Sequence, residues 1–135
     1  MANILVVEDN KSLQILLRET LAKEKHTVMT ADDGVDGLAI FQENVFDLVV
    51  TDIMMPRMDG IEFIQAIRKE KTNAGIIALS GGDNPATGSL LETARLMGAH
   101  VAIKKPFKRQ ELLDAVAAAL TTAAAASANK EGKKR

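Results

Sequence analysis

Four short polar groups in this chain each follow an apolar run: Glu8 and Asp9 after Ile4–Val7, Asp52 after Phe46–Thr51, Ser80 after Gly75–Leu79, and Lys104, Lys105 and Pro106 after His100–Ile103. Brought together, three carboxylates would repel and raise one another's pKa unless a cation lay among them. Oxygen donors with room for water suit Mg²⁺, which takes a few carboxylates and completes its octahedron with water and phosphate oxygens. A lysine and a hydroxyl opposite would hold the remaining phosphoryl oxygens. This is a donor set for an aspartyl phosphate. Asp52 is the nucleophile candidate, because a carboxylate can attack phosphorus once a metal and a lysine neutralise the charge. Each residue also has a plainer use. Glu8 and Asp9 could cap a helix before Lys11, Asp52 could turn the chain, Ser80 could cap a turn with Gly81 and Gly82, and Lys105 could be a solvated lysine. The coincidence of all four groups at strand ends favours the site.

The elements that must position them are legible as alternating periods. Strand-type runs are expected at Ile4–Val7, His26–Ala31, Phe46–Thr51, Gly75–Leu79 and His100–Ile103, and helices at Lys11–Glu24, Val35–Glu43, Ile61–Lys69, Thr87–Met97 and Lys108–Leu120 or beyond. Leu13, Leu16, Leu17 and Leu21 predict the buried face of the first helix, and Leu112, Val116, Ala119 and Leu120 that of the last. The first, third and fourth strands are apolar almost throughout, the pattern of strands covered on both faces of a parallel sheet. Five βα units predict an α/β three-layer sandwich of the flavodoxin-like kind, a doubly wound five-stranded parallel sheet in the order 2-1-3-4-5 with five helices. In that order the polar groups fall side by side at the carboxyl edge, where open α/β sheets bind ligands.

At 135 residues, 47% hydrophobic and 26% charged, the chain fits one soluble domain, expected over residues 1–120. No apolar run reaches the roughly 18 residues of a membrane span. The apolar N-terminus becomes acidic at Glu8, unlike a signal peptide, and there is no cysteine for disulfides or thiolate metal sites; a cytoplasmic location is the expectation. Residues 1–120 carry 13 basic and 17 acidic groups, and the chain has four Phe but no Tyr or Trp. That body lacks both the basic face and the stacking platforms of a nucleic-acid binder. Residues 121–135 are Ala-rich and then basic, with Lys130, Lys133, Lys134 and Arg135 against Glu131. They predict an extension of the last helix that frays, or a disordered tail.

Over residues 1 to about 120 the chain resembles a response-regulator receiver domain of the chemotaxis-regulator (CheY-like) type. The motifs that carry the resemblance are VVEDN with Glu8 and Asp9, VVTDIMMPRMDG with Asp52, LSGG with Ser80, and IKKPF with Lys105 before Pro106. The resemblance implies a bacterial two-component phosphorelay. Asp52 would accept a phosphoryl group from the phosphohistidine of a sensor histidine kinase or histidine phosphotransfer protein. Mg²⁺ would be held by Glu8, Asp9, Asp52 and the backbone carbonyl of Met54, Ser80 would bond the phosphoryl group, and Lys105 would pair with it. It further implies a cis bond at Lys105–Pro106, a turn supplied by Gly60, and a downstream protein target on the face of helix 4, strand 5 and helix 5. Two positions depart from the family pattern. Ala102 stands where an aromatic ring usually rotates, and Met54 puts an apolar side chain where an attacking water must approach. With Ala102 in place, the switch is expected in the loop Gly81–Pro85 and the start of the fourth helix, where Gly81, Gly82 and Gly88 permit rearrangement.

A regulatory phosphoacceptor, assisting only its own phosphorylation and dephosphorylation, is the reading these residues support. A haloacid-dehalogenase-like phosphatase would want a second Asp where Met54 stands, and a dinucleotide-binding domain would want glycines where VVEDNKSL has none. A pseudo-receiver that keeps the fold without phosphorylation remains the alternative. No output domain follows Leu120, so either a single-domain regulator or a receiver cut from a longer protein is expected.

Overall fold

The computed structural model describes residues 1–55, 57–70, 72–81 and 92–133, with side chains to residue 122. Five strands, β1 (Asn3–Val7), β2 (Thr27–Ala31), β3 (Leu48–Asp52), β4 (Gly75–Gly81) and β5 (Val101–Lys105), form one parallel sheet in the order β2-β1-β3-β4-β5. Helices α1 (Lys11–Lys23), α2 (Gly34–Glu43) and α3 (Gly60–Lys69), helical residues 92–97 (α4) and α5 (Arg109–Lys133) connect or follow them. The expected start of the fourth helix at Thr87 lies outside the described residues.

Strand side chains alternate between two cores, as a period of two requires. Ile4, Val6, Leu48, Val50, Ile77 and Leu79 point to one side, where α1 supplies Leu17 and Leu21 and α5 supplies Leu112, Ala115, Val116 and Ala119. Leu5, Val7, Val49, Ile76 and Ala78 point to the other, against Phe63, Ile64 and Ile67 of α3, Phe41 of α2 and Ala94 of α4. Both faces of the three central strands are therefore dry, which accounts for their unbroken apolar sequence.

The buried face of α1 departs from the leucine pattern. Gln14, Leu17, Thr20 and Leu21 are buried, whereas Leu16 is 57% exposed. The buried stripe thus keeps Leu17 and Leu21 but is rotated so that Gln14 and Thr20 share it in place of Leu16. The strands also run further than their apolar stretches: Asp52 pairs with Leu79 inside the ladder, and Ser80 and Gly81 pair with Lys104 and Lys105. Apolarity stops at the carboxyl edge, but backbone N–H and C=O groups there still need partners, and the neighbouring strand supplies them.

Both edge strands are entered by a histidine. His26 precedes β2 and accepts from the backbone N–H of Ala2 at 3.0 Å; His100 precedes β5 and accepts from the N–H of Ile76 at 3.0 Å. An accepting Nδ1 places the ring proton on Nε2. The turn into His100 is made by Gly98, at φ +128°, whose carbonyl accepts from Arg68 Nη2 at 2.6 Å. Helix α5 extends over 25 residues, about 37 Å; among its described side chains the last buried one is Ala119, and Leu120 is only partly buried. No helix among the described residues is long and apolar enough to cross a membrane.

Two outcomes follow from this packing. Truncation after Leu120 is expected to lower the melting temperature by less than about 2 °C, a fraction of a kcal/mol for a domain of this size; a larger fall would show that the distal helix packs on the body. Burial lowers the pKa of His100, with the Arg68 charge adding to it. Its folded pKa is therefore below its unfolded one, so the stability it contributes is present above the ordinary histidine range and is lost as pH falls through it. His100→Asn keeps an acceptor at the Nδ1 position but cannot titrate. Urea unfolding at pH 7.5 and 5.5 should show wild type losing more stability than His100→Asn over that interval, and equal losses would refute the assignment.

Candidate functional site

At the carboxyl edge the sheet order brings the four polar groups into one crevice. Asp52 ends β3, Glu8 follows β1, Lys105 ends β5, and Ser80 lies in β4 between Asp52 and Lys105. Lys105 Nζ donates to Glu8 Oε1 at 2.9 Å and to Asp52 Oδ2 at 3.0 Å. The second oxygen of Glu8 accepts from the backbone N–H of Asn10 at 3.0 Å, and Asp52 Oδ1 lies 3.4 Å from the N–H of Met54. Carboxylate oxygens of Glu8, Asp9 and Asp52 all lie within 4.8 Å of one another, with Glu8 and Asp52 buried and Asp9 exposed. Ser80 is fully buried and its Oγ has no hydrogen-bond partner among the described residues. A buried hydroxyl left unpaired carries a desolvation cost of about 1–3 kcal/mol, which a ligand oxygen in the crevice would relieve.

For Glu8, Asp9 and Lys105 the plainer uses are not the ones observed. The N-cap of α1 is Asn10, whose side chain accepts from Leu13 N, and not Glu8 or Asp9. Lys105 is directed inward onto two carboxylates, with 22% of its side chain exposed. Glu8, completely buried, is pushed up to about 7, chiefly by burial and further by the Asp52 charge; the Asn10 N–H and Lys105 oppose this without overcoming it. Burial alone would lower the pKa of Lys105, but its bonds to Glu8 and Asp52 and their charges outweigh that and raise it. An ion pair would ordinarily lower its acid while raising its base. Here desolvation of the deeper partner wins, so Glu8 is raised although the lysine beside it is raised too and stays charged.

The elements that hold this crevice contain residues the motif pattern did not single out. Gln14 Nε2 donates to Glu8 O at 2.9 Å, Ala31 O at 3.1 Å and Asp32 Oδ1 at 2.9 Å, and Asp32 also receives Lys11 Nζ at 2.6 Å. Its place on the Leu17–Leu21 face of α1 was the available signal. After β3 the chain passes Arg57, whose φ of 69° is left-handed. Its guanidinium lies 3.2 Å from Asp33 and 3.9 Å from Asp36 at the start of α2, where Asp33 is the N-cap. Nothing in the local sequence announces that pairing, because the partners come from a different βα connection. Gly60 carries a correction. Asp59, not Gly60, makes the entry to α3, as an N-cap accepting from Glu62 N. Glycine stands at 60 for lack of room: a Cβ would lie 2.3 Å from Asp52 O and 2.6 Å from Ile53 Cα.

The peptide Lys105–Pro106 is cis. Ala102 pairs with Ala78 in the β4–β5 ladder and packs on the α2–α3 core with a methyl group. Met54 is 63% exposed beside Asp52. Beyond Gly81, the loop expected to carry the switch, with Gly82, Pro85 and Gly88, lies outside the described residues.

A family model described as the response regulator receiver domain matches residues 4–117. The transcriptional regulatory protein YcbL of Bacillus subtilis is 36% identical over 124 residues, which are 92% of this chain and 53% of that protein. A probable chemotaxis protein CheY of Rhizobium etli is 34% identical over 119 residues, 85% of this chain and 89% of that one. The crystallised chemotaxis protein CheY4 of Vibrio cholerae matches with a TM-score of 0.79 and 30% identity, covering 88% of this chain and 98% of that one. The chain spans about half the length of several curated relatives that it matches, YcbL among them.

The close approach of Gly60 to β3 predicts a specific sensitivity. Gly60→Ala should cost about 2 kcal/mol or more, because the obstructing atoms are backbone and cannot swing aside. An unchanged urea midpoint would mean that the β3–α3 loop has room to yield.

Proposed function

This chain belongs to the response-regulator receiver domain family, and we propose that it accepts a phosphoryl group on Asp52 from the phosphohistidine of a sensor histidine kinase or histidine phosphotransfer protein. The observation that carries this reading is Lys105 Nζ seated 3.0 Å from Asp52 Oδ2, with the unpartnered Ser80 Oγ on the intervening strand. The donor set also fits Mg²⁺: three carboxylates converge, and the Met54 carbonyl follows on the next loop. Bound there, Mg²⁺ would neutralise the charge of the incoming phosphoryl oxygens.

This chain's residues then divide the work. A carboxylate oxygen of Asp52 forms the new P–O bond as the P–N bond to the donor imidazole breaks. Lys105, already charged and directed at Asp52, exchanges part of its contact with Glu8 for a phosphoryl oxygen, since a dianionic phosphate is the stronger acceptor. Ser80 gains the partner it lacks by donating to another phosphoryl oxygen. Met54, exposed beside the acceptor, obstructs the approach of water and prolongs the phosphorylated state. With no ring at Ala102, the change reaches a downstream protein through the loop after β4 and the face of α4, β5 and α5. Some relatives are named transcriptional regulators; the acidic body argues that this domain's own contacts are with protein.

With acetyl phosphate and Mg²⁺, wild type should gain one phosphoryl mass by intact mass spectrometry. Asp52→Asn should react on the order of a hundredfold more slowly or not at all, because the nucleophile itself is gone. Modification of that variant at the wild-type rate would show that another residue is the acceptor, and an unmodified wild type would favour the non-phosphorylated binding module. Lys105→Ala should still accept phosphate, more slowly, but without the amide shifts along β5 that phosphorylation gives in wild type. Wild-type shifts in that variant would remove the lysine from the coupling.

A further inference from the structure

We propose that Gln14 is a positioning residue that aims Asp9 into the acid cluster. The inference rests on the Mg²⁺ reading given above. Asp9 is exposed, and among the described residues its carboxylate makes no hydrogen bond or ion pair. The backbone that carries it starts from the Glu8–Asp9 peptide plane, and no side-chain partner adds to what that plane imposes. The plane is held at its carbonyl, where Glu8 O accepts from Gln14 Nε2 at 2.9 Å; the preceding peptide is anchored by Glu8 N donating to Ala31 O at 3.1 Å.

Gln14 is 4% exposed, and its amide meets three acceptors, two carbonyls and the Asp32 carboxylate. Three acceptors fix which way the amide points, since its own oxygen there would be repelled by all of them. A buried amide beside Leu17 and Leu21 would be a poor choice for packing alone. It acts here as a strut from α1 to the backbone immediately before Asp9. Without the donor, the Glu8 carbonyl is left without its side-chain partner and the peptide plane is free to rotate toward water, carrying Asp9 with it. Partners that orient metal ligands are commonly worth tenfold or more in metal affinity.

The test uses the full chain as wild type, Gln14→Leu, Gln14→Arg and, as a packing control on the same helix face, Leu17→Val. Two quantities are read: the Asp9 amide nitrogen shift in metal-free protein and the Mg²⁺ dissociation constant from a titration with the metal alone. Gln14→Leu should move the Asp9 shift and weaken Mg²⁺ binding about tenfold, while Leu17→Val lowers the melting temperature but keeps the constant within about twofold. Gln14→Arg, which restores a donor, should bring the Asp9 shift back toward wild type and remains informative if Gln14→Leu does not fold. An unmoved Asp9 shift in a folded Gln14→Leu, a Gln14→Arg no closer to wild type than Gln14→Leu, or an equal loss of Mg²⁺ affinity in Leu17→Val would overturn the proposal. A wild type that takes up no Mg²⁺ while Gln14→Leu still displaces Asp9 would support the aiming contact and overturn the Mg²⁺ reading instead.

Discussion

The ammonium of Lys105, shared between the buried carboxylates of Glu8 and Asp52, is the interaction on which the arrangement of the carboxyl edge depends. Two acids buried this closely repel each other and lose hydration, and neither effect is offset by the apolar cores on either side of the sheet. The cation comes from the opposite end of the sequence, and only the order β1-β3-β4-β5 brings it within reach. Removing it would leave uncompensated charge in a dry crevice, the costly way to break a buried pair. The rise of Glu8 to about 7 shows that even with the lysine present the balance is close. Such a cluster is poised to accept positive charge, and then a phosphoryl group whose oxygens can replace Glu8 on the lysine.

Around this cluster polar contacts add to apolar packing in fastening the loops, while the helices are seated chiefly by apolar contacts. Leu17, Leu21, Phe63 and Ile67 are fully buried and fix α1 and α3 on opposite faces of the sheet. The segment that carries Asp9 has little apolar surface of its own and is held by Gln14. The one that carries Met54 packs Ile53, Met55 and Met58 on the core and is held further by the contact of Arg57 with Asp33. Arg57 is more than half exposed, and an exposed ion pair contributes at most about 1 kcal/mol. Its consequence is geometric, since it defines the path of a loop whose backbone faces the acceptor. The absence of a Cβ at Gly60 serves the same end from below, letting the start of α3 press against the Asp52 carbonyl.

Much of this was legible in the linear sequence. Alternating periods of two and 3.6 residues, the dry central strands and the four polar groups closing apolar runs gave the sheet order and the members of the cluster, because side-chain period and burial are local properties that tertiary contacts rarely reverse. The boundaries were less legible, since Asp52, Ser80 and Lys105 lie inside strands by virtue of ladder partners that only a neighbouring strand supplies.

What only the tertiary structure decided concerns distance and depth. The sequence shows that Glu8 and Lys105 are an acid and a base; that they meet at 2.9 Å, and that the acid is the more deeply buried and so has its pKa raised despite the cation beside it, follows from how the layers close. The four leucines of α1 suggested one face, and the fold turned the helix to bury Gln14 and expose Leu16, an orientation in which the carbonyls of Glu8 and Ala31 gain a side-chain donor. Gly60 was readable as a turn, yet it is required by an approach of 2.3 Å between a would-be Cβ and the strand before it. Residue types and their order determined what chemistry the carboxyl edge could hold, whereas packing decided which side chains hold those groups in place, because such contacts join segments that have no proximity until the sheet forms.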